Sequence, residues 1–171
     1  MLGLVLLYVG AVLIVNGLTG LGRIAPREAA VMNLFAGALA VLASMHQIAG
    51  GTAPGIRAGA FGLLFGFTYL WVAYAEWTGQ DGRGLGWFSG FVALTAVWVA
   101  ADELQAATSL QGAWLAACWA AWAVLWTGFF VVGVWPRTSW RRPLAALSIA
   151  QGVLTAWLPG YLLLSGRIVA P

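Results

Sequence analysis

Of 171 residues, 62% are hydrophobic and 8% are charged, against roughly 45–50% apolar and about 25% charged in soluble domains; a water-soluble globular fold is excluded and an integral membrane protein is expected. Eight basic and five acidic residues leave a formal net charge of +3, but these charges fall between the apolar runs rather than on one basic face, which argues against nucleic-acid binding. The single cysteine, Cys118, lies in an apolar stretch, cannot form an intrachain disulfide or a thiolate metal cluster alone, and reads as a small core residue.

Six apolar segments, at approximately 2–19, 29–49, 58–77, 87–105, 112–134 and 144–166, have the length of spanning helices. The expected fold is therefore all-α, one six-helix transmembrane unit over the whole chain. The first segment begins "MLGLVLLYVG" with no basic residue before it. The charged leader of a cleaved signal is missing, and this helix is expected to be retained. Within it Leu2, Leu6, Val9, Leu13 and Asn16 are spaced by three and four and share a face. Gly3, Gly10 and Gly17 recur every seven residues, on a face where backbones approach closely. The second segment carries His46 near its outer end, with no partner at metal-ligand spacing.

The third segment contains "GLLFGFTYLW". Gly62 and Gly66 form a small-xxx-small pair for close packing, while Phe65 and Tyr69 fall on another face. Glu76 ends this segment, and Asp102 and Glu103 end the fourth. All three, like His46, read as groups that reach headgroups or water by snorkelling. The fifth segment, "GAWLAACWAAWAVLWTGFF", places Trp119, Trp122 and Trp126 along one face. Trp122 lies near mid-span, where its indole N–H has no headgroup to bond. The sixth carries Gln151 and, in "AWLPGYLL", Pro159, the one residue that breaks a span.

The connections "GLGRIAPRE", "GGTAPG", "TGQDGRGLG" and "WPRTSWRRP" are short. Arg23, Arg27, Arg83, Arg137, Arg141 and Arg142 follow odd-numbered spans, whereas only Arg57 and Arg167 lie on the other side. The positive-inside rule then puts odd connections in the cytoplasm and both chain ends outside. That topology reads as three antiparallel hairpins, pairing spans 1 with 2, 3 with 4 and 5 with 6.

One histidine, one cysteine and no carboxylate at depth offer no nucleophile with its base and no ligand set, so neither catalytic residues, nor a metal, nor a cofactor is expected. The aromatic rows instead frame a slot with a few hydrogen-bonding points: Tyr69, the indole N–H groups, Asn16 and Gln151. Such a slot suits a small, flat, neutral polar molecule, since an ion finds no charged or carbonyl ring to replace its hydration. The same rows are equally consistent with rings that only pack helices. A proton-coupled amide carrier using Glu76 or Glu103 is a further alternative.

The blocks "MLGLVLLYVG", "VMN" (31–33), "GLLFGFTYL" (62–70), "WAVLW" (122–126) and "LTAWLP" (154–159) resemble the AmiS/UreI family of bacterial urea and short-chain amide channels, and the likeness runs from the first residue to the last span. The resemblance implies a protomer with its own passive pore, a homo-hexameric ring in the lipid of the inner membrane, and permeation of urea or small aliphatic amides toward a cytosolic urease or amidase. It carries the family's constriction residues onto Leu2, Leu6, Val9, Leu13, Phe65, Tyr69, Trp119, Trp122, Leu125 and Trp126. Three departures bear on gating. The first outer loop, "GGTAPG", is short and has only His46 nearby; Gln151 stands where acid-gated relatives place an acidic residue; and Leu115, beside Trp114, stands at a ring-bearing position. Together these imply passage without proton gating.

Overall fold

Helix ends fall where the sequence supplies local chemistry. Pro26 opens α2 (Pro26–Ala49), with the Ala25 N–H donating to Glu28 Oε2 at 3.4 Å. Thr52 Oγ1 accepts from Gly55 N at 3.2 Å to start α3 (Ala53–Thr78), and Ser109 Oγ accepts from Gly112 N at 3.1 Å to start α5 (Leu110–Val134). These caps satisfy amide groups that the first turn leaves orphaned. Gly79 ends α3 at φ +70°, left-handed backbone that only glycine adopts without strain. With α1 (Leu2–Gly20) and α4 (Arg83–Ala106) these make five helices. The sixth span is composite: α6 (Thr138–Gln151), a π-helical stretch (Gly152–Trp157) and α7 (Leu158–Leu164). The computed structural model describes residues 1–135 and 138–168; Arg137, counted above toward sidedness, lies outside them.

Six helices are long and apolar enough to cross a membrane, and no strand occurs among the described residues. The chain is a multi-pass, all-helical membrane protein. Because six spans alternate in direction, the starts of α1, α3 and α5 lie at the same end as the last turn of α7; this end is called upper below.

The closest pairs are α2 with α3, α4 with α5, and α1 with the sixth span. They are offset by one span from the hairpins read in the sequence, and glycine is the physical reason. A Cβ on Gly10 would lie 2.5 Å from the Trp157 nitrogen, and one on Gly160 would lie 2.6 Å from the Leu7 nitrogen. The heptad glycines of α1 thus meet the last span, not α2. Likewise Gly37 abuts Leu70 between α2 and α3, and Gly86 faces Gly133 between α4 and α5, with a Cβ–backbone approach of 3.1 Å or less. Only residues without side chains let helices approach this closely.

The other three seams are looser, and each is bridged by polar side chains. Asn16 and Asn33 exchange amide hydrogen bonds across α1 and α2, at 3.0 and 2.6 Å. Arg57 reaches from α3 to Glu103 (3.0 Å) and Asp102 (3.5 Å) on α4. Between α5 and the sixth span, Gln151 Nε2 donates to the Ala121 carbonyl at 2.8 Å and Trp122 Nε1 donates to Thr155 Oγ1 at 2.9 Å.

Candidate functional site

Where α1, α3 and α5 turn their ring-bearing and aliphatic faces toward one another, two cavities open along the protomer. The upper cavity is about 570 Å³ and the lower about 560 Å³. Phe65 and Trp122 line both, so these two rings form the partition between them. Phe65 inserts into the row of indoles on α5, with centroids 5.8 Å from Trp119, 5.0 Å from Trp122 and 4.7 Å from Trp126, all edge-on. Edge-to-face contacts of this kind contribute ~0.5–1.5 kcal/mol each beyond area burial, so the partition is a preferred arrangement and not a loose heap of side chains.

The residues singled out in the sequence fall as follows. Leu2, Leu6, Val9 and Trp119 line the upper cavity. Leu13, Asn16, Tyr69, Leu125 and Trp126 line the lower. Gln151 lines neither. Its amide is spent on the Ala121 carbonyl, and its Oε1 is buried without a partner among the described residues, so it ties two spans together rather than facing either cavity. Asn16 reaches the lower cavity, but both of its polar atoms are engaged with Asn33, which is fully buried and also donates to the Ala29 carbonyl at 3.0 Å. Within "GLLFGFTYLW", Gly62 packs on Ser44 and Gly66 on Val41 of α2, which leaves Phe65 and Tyr69 directed at the cavities.

Two residues that matter to this geometry, Thr155 and Asn33, do not stand out from the helical spacing of the sequence. Thr155 answers the question of the mid-span indole: it accepts from Trp122 and passes its own hydrogen to the Gln151 carbonyl at 2.7 Å. Thr155 belongs to the π-helical stretch, where the Leu158 N–H bonds to Val153, five residues back. Pro159 has no N–H to return to the Thr155 carbonyl, so the ordinary i to i−4 ladder is interrupted at this turn. The presence of Pro159 four residues after a threonine was the available sequence signal. Asn33, inside the quoted "VMN", carried no such signal, because its role depends on a residue of another helix.

Electrostatically the two cavities differ. Arg57 and Glu103 both line the upper one but neutralise each other, and the guanidinium also lies over the Phe61 ring, 5.2 Å from its centroid. Asp102 and Glu103 therefore have a partner at this mouth, beyond simple anchoring. Glu76 lines the lower cavity and has no ion-pair partner among the described residues. His46 is exposed and lines neither cavity. No group of three His, Cys, Asp or Glu side chains suited to a metal occurs among the described residues.

Known proteins resemble this chain in sequence and in fold. A relative from Mycolicibacterium smegmatis, named for the transport of amidate substrates, is 42% identical over 167 residues, covering 96% of this chain and 77% of its own. The acid-activated urea channel of Helicobacter pylori is 37% identical over 195 residues, covering 95% of this chain and 97% of its own. A cryo-EM structure of the Helicobacter pylori urea channel in its closed state superposes with a TM-score of 0.89 at 38% identity, over 99% of this chain and all of that one. These relatives are channels and transporters, not enzymes. The AmiS/UreI family transporter model matches residues 1–167, and with the ring-partitioned cavities inside six spans this makes the chain a member of the AmiS/UreI family.

Proposed function

We propose that this protein is a passive channel for urea and small neutral aliphatic amides, open without a proton signal, in a bacterial inner membrane. The observation that carries the reading is the partition itself: two cavities inside one protomer meet at Phe65 and Trp122, uncharged rings that give an ion nothing in exchange for its water. A planar amide can lie against such faces while its edges find Tyr69 in the lower cavity. On this reading Leu2, Leu6, Val9, Leu13, Phe65, Tyr69, Trp119, Trp122, Leu125 and Trp126 form the selectivity path, and Asn16 and Gln151 hold its walls. A homo-hexamer, both chain ends on the outer side and delivery to a cytosolic urease or amidase complete the proposal. The amidate-transport relative and the urea-channel relative support the solute class, and the neutral Gln151 supports the absence of proton gating.

Stopped-flow light scattering on proteoliposomes tests it. Urea and acetamide are expected to cross faster than in protein-free vesicles, at acidic and neutral pH alike and with no ion gradient. Collapse of the flux on adding a protonophore would instead establish the coupled carrier, and no excess flux would remove the channel reading altogether.

A further inference from the structure

Among the side chains of α3 that line the lower cavity, two carry polar groups with no hydrogen-bond partner among the described residues. Tyr69 lines this cavity, and its hydroxyl has no hydrogen bond among the described residues. Glu76, seven residues later on the same helix and so about 10 Å nearer the lower mouth, has its Oε2 buried with no hydrogen-bond partner. Glu76 is also the one charged side chain among the described residues that line this cavity. A buried carboxylate oxygen left unpaired calls for an explanation, and the upper cavity provides the contrast, because its acid, Glu103, already holds Arg57.

We propose that Glu76 is an acceptor site for solutes that present two N–H donors on one edge, so that the lower cavity favours urea over acetamide. A carboxylate accepts two parallel N–H bonds along its edge. Urea can offer one N–H from each of its two amino groups in that geometry. Acetamide replaces one amino group with a methyl and offers a single N–H there. The ring partition sees two flat molecules of nearly equal size and distinguishes them poorly; the carboxylate distinguishes them by chemistry. Tyr69, about two turns nearer the ring partition, offers its hydroxyl to the carbonyl that both solutes share as they pass. This inference rests on the channel reading above and names the member of its solute class that the site prefers.

The test compares urea and acetamide flux through wild-type protein, E76Q and E76A in the same proteoliposomes. Glutamine keeps the size of the side chain but turns one acceptor into a donor. The ratio of urea to acetamide permeability is expected to fall about fivefold in both variants, with acetamide flux retained as the sign of an intact channel. Guanidinium presents the same paired edge with a positive charge, and is expected to slow urea flux through the wild type but not through E76Q. An unchanged ratio in variants that still carry acetamide overturns the role of Glu76, as does a wild type indifferent to guanidinium even where the variants fail to assemble. Wild-type vesicles that carry neither solute would overturn the channel reading itself, a distinguishable result.

Discussion

The six seams between neighbouring spans are of two kinds, and their alternation shows how one apolar chain makes both a sealed wall and a passage. At α2–α3, α4–α5 and α1 with the sixth span, glycine lets backbones meet. At α1–α2, α3–α4 and α5 with the sixth span, the helices stand further apart and are joined by Asn16 with Asn33, Arg57 with Glu103, and Gln151 and Trp122 with their partners. In lipid, helix association has no hydrophobic drive between apolar faces and relies on close packing or on hydrogen bonds. Each seam uses one of these as its main means, and the rings that line the cavities occupy the space the looser seams leave.

The sharpest way to break this contrast is to put a side chain where a glycine seam has none. Gly10→Val drives its Cβ into the Trp157 backbone, which neither helix can avoid by changing a rotamer. Overpacking of that kind costs about 3 kcal/mol. The expected result is loss of the folded oligomer in size-exclusion chromatography with no flux in vesicles. A Gly10→Val protein that elutes and transports like wild type would remove glycine as the determinant of the pairing.

A polar seam should fail more gently. Asn33→Ala removes the reciprocal partner of Asn16 and is expected to cost about 2 kcal/mol, the scale of a buried hydrogen-bonding group left unpaired. A double-mutant cycle sharpens the attribution: with Asn16→Ala already present, Asn33→Ala should cost much less than it does alone. Additive costs, read from thermal melts in detergent, would mean that the two amides stabilise the seam separately.

How far the sequence discloses this architecture follows from the range over which each feature acts. The spans are legible because hydropathy accumulates along 20 residues of one segment, and the short polar connections mark its ends. The cavity-facing rows on α1, α3 and α5 are legible because residues three and four apart share a helical face whatever lies opposite. The pairing of spans is not, since the heptad of Gly3, Gly10 and Gly17 announces a close neighbour without saying which. Gln151 and Asn16 look like hydrogen-bonding points for solute because each is a polar residue in an apolar span; that the Ala121 carbonyl and Asn33 engage them is decided across helices. Charge patterning was equally silent on Arg57 and Glu103, 46 positions apart.

The indole anchor offers the next, smaller test. Thr155→Val keeps the shape of the side chain but leaves the Trp122 N–H unpaired, so the ring loses the bond that holds its edge against the sixth span. An unpaired buried donor costs about 1–2 kcal/mol, and the freed ring should lower the ratio of urea to water permeability by about threefold. Trp122→Phe removes the donor, so Thr155→Val in that background is expected to change neither stability nor ratio. Equal effects in both backgrounds would place the action of Thr155 in the π-helical turn rather than in its bond to the indole.

The smallest effect belongs to Arg57. Its guanidinium bridges α3 and α4 at the upper mouth, a seam with few other contacts, but the three side chains are 36–65% exposed. Exposed pairs of this kind contribute ~0.5 kcal/mol after solvent screening, far less than the desolvated amides of Asn16 and Asn33. Arg57→Gln should therefore lower the melting temperature by only ~1–2 °C at low salt. Raising ionic strength to ~1 M, where the screening length shrinks to about 3 Å, should erase the difference. Urea flux should hardly change, because a neutral solute responds little to the added negative charge that Asp102 and Glu103 present once the guanidinium is gone. A large, salt-independent loss of stability would mean that Arg57 acts within α3, through its guanidinium over the Phe61 ring four residues on, and that the α3–α4 seam is held by Trp71 against Phe88 rather than by the ion pair.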